Sequence, residues 1–244
     1  MKKIVKNKGL IINTQDYKEN AILAYILRFD GKRTFIIKGA KKITSSNHIF
    51  SNPLTLIEFN STLTSGISVL TEGVILDNYN RIKEDSNRYN IACIILEKIN
   101  FFAEQVSDQT ILFDFVIDLL NILKTTLYID AVSIIFEIKL LYLLGVAPSF
   151  NRCPICGKSV IKGALLVSSG GYLCQDCQFA RVASLNYEDS SLFKEIYVTK
   201  LANITDDLLS RINASQTIRT VIDDYYAYHL DFDSKVKKII KKIG

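Results

Sequence analysis

Four of the five cysteines fall into two pairs, Cys153-Pro154-Ile155-Cys156 and Cys174-Gln175-Asp176-Cys177, with 17 residues between the pairs. A two-residue gap lets a chain fold both sulfurs over one ion, and two such gaps at this separation have the spacing of a four-thiolate zinc site. Gly157, directly after the second cysteine, permits a tight turn, and the intervening span is long enough for a short hairpin bent at Gly163 and Gly170-Gly171. The expectation is one structural Zn2+ on Cys153, Cys156, Cys174 and Cys177. With every tetrahedral position taken by protein, none is left for a reacting water. The competing reading is two disulfides or free thiols. Disulfides need an oxidising compartment, and the start MKKIVKNKG has a signal peptide's basic residues with no apolar stretch behind them. The cytosol is therefore the expected compartment. Arg152, Lys158, Lys162 and Arg181 flank the pairs and would offset thiolate charge. Cys93 falls at an apolar helical position and reads as a core residue.

The cysteine segment interrupts a helical pattern that itself follows a β pattern. Runs at Ile4–Val5 and Leu10–Ile12, Ala21 to Phe29, Thr34 to Ile37, Leu54 to Phe59 and Ile67 to Leu76 read as strands. Asp30-Gly31 marks a hairpin turn, and Gly9 suggests a bulge or bend in a long first strand. Five short strands in so short a segment suggest an OB-fold barrel, with a long polar, basic connection from Gly39 to Asn52. Phe29 and Phe35, inside apolar runs, are expected in its core. After residue 80 the period becomes helical: Tyr89, Ala92/Cys93, Leu96, Ile99 and Phe102/Ala103 on one helix, and Leu112, Phe115/Val116, Leu119/Leu120 and Leu123 on a second capped by Asp108. Asp130 is expected to cap a third, which stops at Gly145 and Pro148, and Thr205 with Asp206-Asp207 starts another. The expected fold is α+β and multidomain. Residues 1–80 form an OB-fold nucleic-acid-binding domain, 81–150 and 181–244 a helical domain in two parts, and 151–180 the embedded zinc knuckle. The most apolar stretch, Val132 to Ala147, carries Glu137 and Lys139, which argues against a transmembrane helix.

Charge is distributed unevenly. Residues 1–42 net +8, residues 43–234 net −8, and residues 235–244 hold five lysines and no acid. Such asymmetry suggests a polyanion for the two ends of the chain. Lys2, Lys3, Lys6, Lys8, Arg28, Lys32, Arg33, Lys38, Lys41 and Lys42 crowd into the barrel segment with Tyr17, Tyr25, Phe29 and Phe35 among them. A basic groove with aromatic platforms is how OB folds hold single strands. Lys8, Arg28, Lys32, Arg33, Lys38, Lys41 and Lys42 are the candidate DNA contacts, the last three bunched around Gly39. Residues 235–243, KVKKIIKKI, form a basic amphipathic helix with Val236, Ile239/Ile240 and Ile243 as its apolar stripe, expected to dock on the helical domain with its charge outward.

No catalytic constellation stands out. The histidines, His48 and His229, have no nucleophile motif beside them, and GxSxG, HExxH and GxGxxG are missing. A zinc-lidded nucleotide kinase would need a glycine-rich loop ending in Lys-Ser/Thr, and Ser168-Ser169-Gly170-Gly171 lacks the lysine. Asp206-Asp207 and Asp223-Asp224 are helix neighbours that point apart, and read as solvated faces.

Barrel, helices and embedded knuckle together resemble the bacterial RecO family of recombination mediators. The resemblance covers nearly the whole chain. It is carried by Gly9-Leu10-Ile11-Ile12, Tyr17-Lys18-Glu19-Asn20, Asp30-Gly31, Lys38-Gly39-Ala40-Lys41-Lys42, Ile57-Glu58-Phe59, and the run from Phe136-Glu137-Ile138 through Leu144-Gly145-Val146-Ala147-Pro148 to Cys153-Pro154-Ile155-Cys156-Gly157. It implies a non-enzymatic protein of DNA repair, cytoplasmic and nucleoid-associated, that binds single- and double-stranded DNA and anneals complementary strands. It also implies RecR as a partner, docking of the C-terminal tail of single-strand-binding protein on the helical domain, loading of RecA as an indirect partner, and no membrane association. The knuckle is not present in every family member, but all four cysteines stand here, so zinc is implied. The alternative is a zinc-bearing OB-fold adaptor acting mainly through protein or RNA partners.

Overall fold

Strands β1 (Ile4–Tyr17), β2 (Ala21–Arg28), β3 (Gly31–Lys38), β4 (Thr55–Thr62) and β5 (Ser68–Asp77) close into a barrel in the order β1-β2-β3-β5-β4. The structure, a computed structural model, describes residues 4–62, 66–179 and 181–243. β1 is long enough to serve two partners: Ile4–Ile11 pair with β4 and Leu10–Tyr17 with β2. All pairings are antiparallel except β3 with β5, where Phe35–Ile37 run parallel to Ser68–Leu70 and close the cylinder. The bend in β1 is not at Gly9. The register shifts between Ile11 and Asn13. Gly9 instead allows close strand approach, since a Cβ there would lie 2.4 Å from Ile26 Cγ2 and 2.9 Å from the Leu27 carbonyl.

Ile11, Ile22, Ala24, Ile26, Phe35, Ile37, Ile57, Phe59 and Leu70 fill the barrel. Phe35 and Phe59 meet edge to face at 5.0 Å. Phe29 does not join them. It sits in the tight turn between β2 and β3 and is 54% exposed, because the strand alternation has already ended at Arg28. The long connection after β3 is only partly a loop: Ser46–Phe50 form a 3-10 turn, and Ala40 and Phe50 both enter the core.

Short α1 (Asn80–Lys83) leads to α2 (Ser86–Phe102), capped by Asp85, and α3 (Gln109–Thr125), whose Asp108 accepts the Ile111 N–H at 2.9 Å. The chain divides into two compact units, Met1–Thr125 and Thr126–Gly244, and helices α1–α3 fall with the barrel in the first. The reason is visible on the outer side of the sheet. Leu10, Leu27 and Lys32 share one cross-strand row, and both leucines have no exposed surface, although the barrel interior is on the other side. Helices α2 and α3 pack against these strands, and Lys32 Nζ donates to the Asn100 carbonyl of α2 at 2.7 Å.

In the second unit α4 (Ile129–Leu143) is buried along almost its whole length, packed by α6 (Tyr187–Val198), α7 (Asp206–Ala214) and α8 (Gln216–Leu230). Between α4 and α6 lie a hairpin, β6 (Ala164–Leu166) with β7 (Gly171–Leu173), and the one-turn helix α5 (Gln175–Gln178). Asp130 does not cap α4. It lies inside the first turn and pairs with Arg219 at 3.1 Å. Thr205 caps α7 as expected, its hydroxyl accepting from Leu208 N. The two charges of the apolar stretch both have work. Lys139 donates to the carbonyls of Tyr197 and Thr199 at the end of α6, and its burial brings its pKa down to about 8. Glu137, 1% exposed, accepts from Lys237 at 2.7 Å, and Lys237 also meets Asp223 at 2.5 Å. Lys237 belongs to α9 (Lys235–Ile243), so this network docks the C-terminal helix. Asp223, expected on a solvated face, is therefore part of a partly buried ion network. Burial alone would lower the Lys237 pKa, but the two carboxylates outweigh it and raise it.

Breaking this network should be costly, because it leaves a carboxylate buried without its cation. Lys237→Met is expected to lose about 3–5 kcal/mol in urea denaturation, and the double change Glu137→Met/Lys237→Met to recover most of it. Equal losses in the two variants would show that the pair itself is not the origin.

Candidate metal centre and nucleic-acid interface

The first knuckle is built by a turn. Gly157 N–H donates to the Cys153 carbonyl and Cys153 N–H to the Lys158 carbonyl, each at 2.9 Å, with Gly157 at φ +73°. A side chain at Gly157 would be strained in that backbone. The second knuckle comes off the hairpin: β7 delivers Cys174 as the N-cap residue of α5, and Cys177 follows one turn later. Gly170 turns the hairpin at φ +65°, and a Cβ on Gly163 would lie 2.7 Å from Tyr172 Cβ. The hairpin is anchored to α6 by Ser190, whose hydroxyl accepts from Leu165 N at 2.9 Å and whose carbonyl accepts from the Tyr172 hydroxyl. Lys158 Nζ to Asp176 Oδ2, 2.7 Å, ties the two knuckles together.

The four sulfurs lie within 4.8 Å of one another, and Cys156 Sγ is 3.6 Å from Cys174 Sγ. Tetrahedral Zn–S bonds of about 2.3 Å place sulfurs about 3.8 Å apart, so the arrangement has the dimensions of a thiolate metal site. The residues could hold a metal ion. Burial resists ionisation of Cys153, but backbone N–H groups of Cys174, Cys156 and Ile155 aimed at its sulfur prevail and bring its pKa to about 6. Cys177 is pushed the other way, to about 12, first by its hydrogen bond with Cys156. The cluster thus shares protons that a cation would replace. Cys93 stands apart, half-buried on α2, with burial raising its thiol pKa.

The seven candidate DNA contacts separate into two groups. Arg28 and Lys32 are occupied by the fold. Arg28, with a side chain 14% exposed, bonds Asn7 Oδ1 at 2.5 Å and pairs with Asp30 at 2.9 Å. Lys32, 15% exposed, holds α2 and also pairs with Glu104 at 3.2 Å. Lys8, Arg33, Lys38 and Lys42 are exposed, and among the described residues their side chains have no hydrogen bond or ion pair. Lys41 is on the surface and pairs with Asp16 at 2.7 Å. Lys2 and Lys3 lie outside the described residues.

Cross-strand register shows what surrounds the free lysines. Tyr17, Ala21 and Lys38 form one outward row, Gln15, Leu23 and Ile36 the next, and Asn13, Tyr25 and Thr34 a third. The helices close the far end of this face at Leu10, Leu27 and Lys32. At the near end Tyr17, Leu23, Tyr25 and Ile36 stay half-buried. Lys18 lies over the Tyr17 ring at 5.3 Å. Leu23, Ile36 and Lys18 belong to this surface but were not among the sequence candidates. Period-2 alternation from the core residues Ile22 and Phe35 was the signal that could have found the first two.

The metal centre generates a direct expectation. Full-length protein purified without chelator should carry one tetrahedral ion per chain by elemental analysis. Cys153→Ser and Cys174→Ser should each lower that content several-fold while leaving the circular dichroism of the barrel unit's strands in place. Full metal content in either variant would show that these sulfurs are not ligands.

Sequence comparison with known proteins covers both parts of the chain. A family model described as "Recombination protein O N terminal" matches residues 1–79, and one described as "Recombination protein O C terminal" matches residues 83–238. The chain is similar to proteins named DNA repair protein RecO from Bacillus pumilus, 24% identical over 98% of this chain and 94% of that protein, and from Bacillus mycoides, 27% identical over 98% and 97%. A third, of the same name from Oceanobacillus iheyensis, is 26% identical over 98% and 93%. The two models lie in the order barrel, then helices with embedded knuckle, and between them span nearly all of the sequence: the chain belongs to the recombination protein O family, RecO.

Proposed function

We propose that this protein is a non-enzymatic recombination mediator of DNA repair. It binds single- and double-stranded DNA, anneals complementary strands and, with RecR, helps load RecA onto DNA coated by single-strand-binding protein, whose C-terminal tail it engages. It acts in the cytoplasm, at the nucleoid. Family membership supports the role in DNA repair and recombination, and no described helix is long and apolar enough to cross a membrane. The ion assigned to the four thiolates is zinc. It would hold the knuckle folded, with no open position for chemistry.

The observation that carries the DNA reading is the open end of the barrel's outer face. Half-buried Tyr17 and Tyr25, on β1 and β2 of an OB-type barrel, offer stacking surfaces beside exposed Lys38 at the end of β3, and exposed Lys41 and Lys42 follow in the turn after it. Phosphate contacts are assigned to Lys8, Arg33, Lys38, Lys41 and Lys42, leaving Arg28 and Lys32 to structure. Neutralising phosphates lowers the repulsion between strands that opposes annealing, and release of condensed counterions drives the binding.

The reading is tested by anisotropy titration of labelled single-stranded DNA at several salt concentrations. Five contacts give a log–log salt slope of about −3.5, or about 100-fold weaker binding at 200 mM than at 50 mM salt. The triple change Lys38→Glu, Lys41→Glu and Lys42→Glu should bring the slope to about −1.4 with the fold intact. Arg28→Ala should instead cost about 1–3 kcal/mol of stability, by leaving Asn7 short of a partner, with the salt slope unchanged. Unchanged affinity of the folded triple variant would overturn the assignment. Absence of DNA binding even at low salt would favour a protein adaptor.

A further inference from the structure

The C-terminal helix α9 carries Lys235, Lys237, Lys238, Lys241 and Lys242 with no acidic residue among them. One of the five is turned inward. Lys237 is 12% exposed and locked onto Glu137 and Asp223. That contact sets the rotation of the helix. At 100° per residue, Lys235 and Lys242 lie about 160° and 140° around from Lys237, on the opposite side, with Lys238 about 100° away. Lys235, Lys238, Lys241 and Lys242 are all exposed. Among the described residues Asp233 pairs with Lys238, and Asp223, 3.9 Å from Lys241, serves Lys237.

We infer that the outward lysine face of α9, centred on Lys235 and Lys242, holds the phosphate backbone of a second DNA strand while the barrel holds the first. This rests on the proposed function and deepens it. One protein that carries two polyanions at once would bring complementary strands together, and each compact unit has a lysine-rich surface among its described residues. The charge is complementary to phosphate and lacks what a lipid surface needs. A membrane-binding helix must offer its apolar face, but Val236 and Ile240 are half-buried and Lys237 is held inward beside them, while Ile239 is 56% exposed. The side chain of Ile243, the last member of the stripe, lies outside the described residues.

The test uses full-length, metal-loaded protein saturated with an unlabelled single strand of about 12 nucleotides, enough to cover one OB barrel. A second, non-complementary labelled strand is then titrated, and annealing of complementary strands is timed separately. The wild type should capture the second strand with a salt slope of about −1.4 for two phosphates. Lys235→Glu/Lys242→Glu should bind the first strand within about twofold of wild type, lose capture of the second, and anneal about tenfold more slowly. Lys235→Arg/Lys242→Arg should restore both, showing that charge is the property read and that the helix is still docked. Undiminished capture and annealing by the Glu variant would overturn the inference. So would loss of binding to anionic phosphatidylserine vesicles with DNA capture unchanged, which would assign the face to a membrane. Failure of the wild type to bind even the first strand would overturn the proposed function together with this extension. First-strand binding without second-strand capture would overturn the extension alone.

Discussion

Glu137 is the constraint around which the second unit is arranged. It sits on α4, a helix packed on nearly every side, where an ionised carboxylate without a partner would cost several kcal/mol. Lys237 supplies the cation, Asp223 shares it, and the Ser133 hydroxyl lies 3.3 Å from the carboxylate. The consequence reaches beyond local pairing. A cation drawn inward from α9 fixes that helix's rotation, and the remaining lysines are presented outward as a result. A neutral residue at 137 would leave Lys237 with Asp223 as the remaining one of these two carboxylates, a weaker constraint on the rotation of α9. Specificity of arrangement is what an ion pair of this kind can add, even where its net contribution to stability is small.

The barrel unit solves a related problem with the same means. Its sheet has two apolar surfaces, one inside the cylinder and one outside. The outer one is divided. Leu10 and Leu27 are sealed by helices that Lys32 ties down through the Asn100 carbonyl, while Tyr17, Leu23, Tyr25 and Ile36 remain half-open beside unpaired lysines. Basic residues of similar appearance in the sequence therefore do different jobs. Arg28 and Lys32 hold the scaffold, and Lys38 and Lys42 face solvent. The knuckle follows the same division: Ser190 anchors its hairpin to a helix, and the sulfurs converge where two turns and a one-turn helix present them.

The sequence by itself determined the features set by short spacings. The CxxC pairs with Gly157, the Asp30-Gly31 turn, the strand runs, and the caps at Asp108 and Thr205 each depend on a few adjacent residues, and the structure places them as their chemistry requires. Lysine-rich ends were equally legible, because charge is a property of composition. What tertiary structure alone decided involves residues far apart in the chain. Phe29 was exposed because a turn began one residue earlier than the apolar run ended. Gly9 served close approach to Ile26 rather than a bulge. Asp130 met Arg219 instead of capping a helix, and Asp223 met Lys237 instead of water. The packing of α1–α3 with the barrel could not be read from their periodicity, which shows that a face is buried but not against what. Which lysines are free to meet a phosphate is a question of the same kind. A cation's availability depends on whether folding brings a carboxylate or carbonyl within about 3 Å of it, and sequence distance carries no information about that.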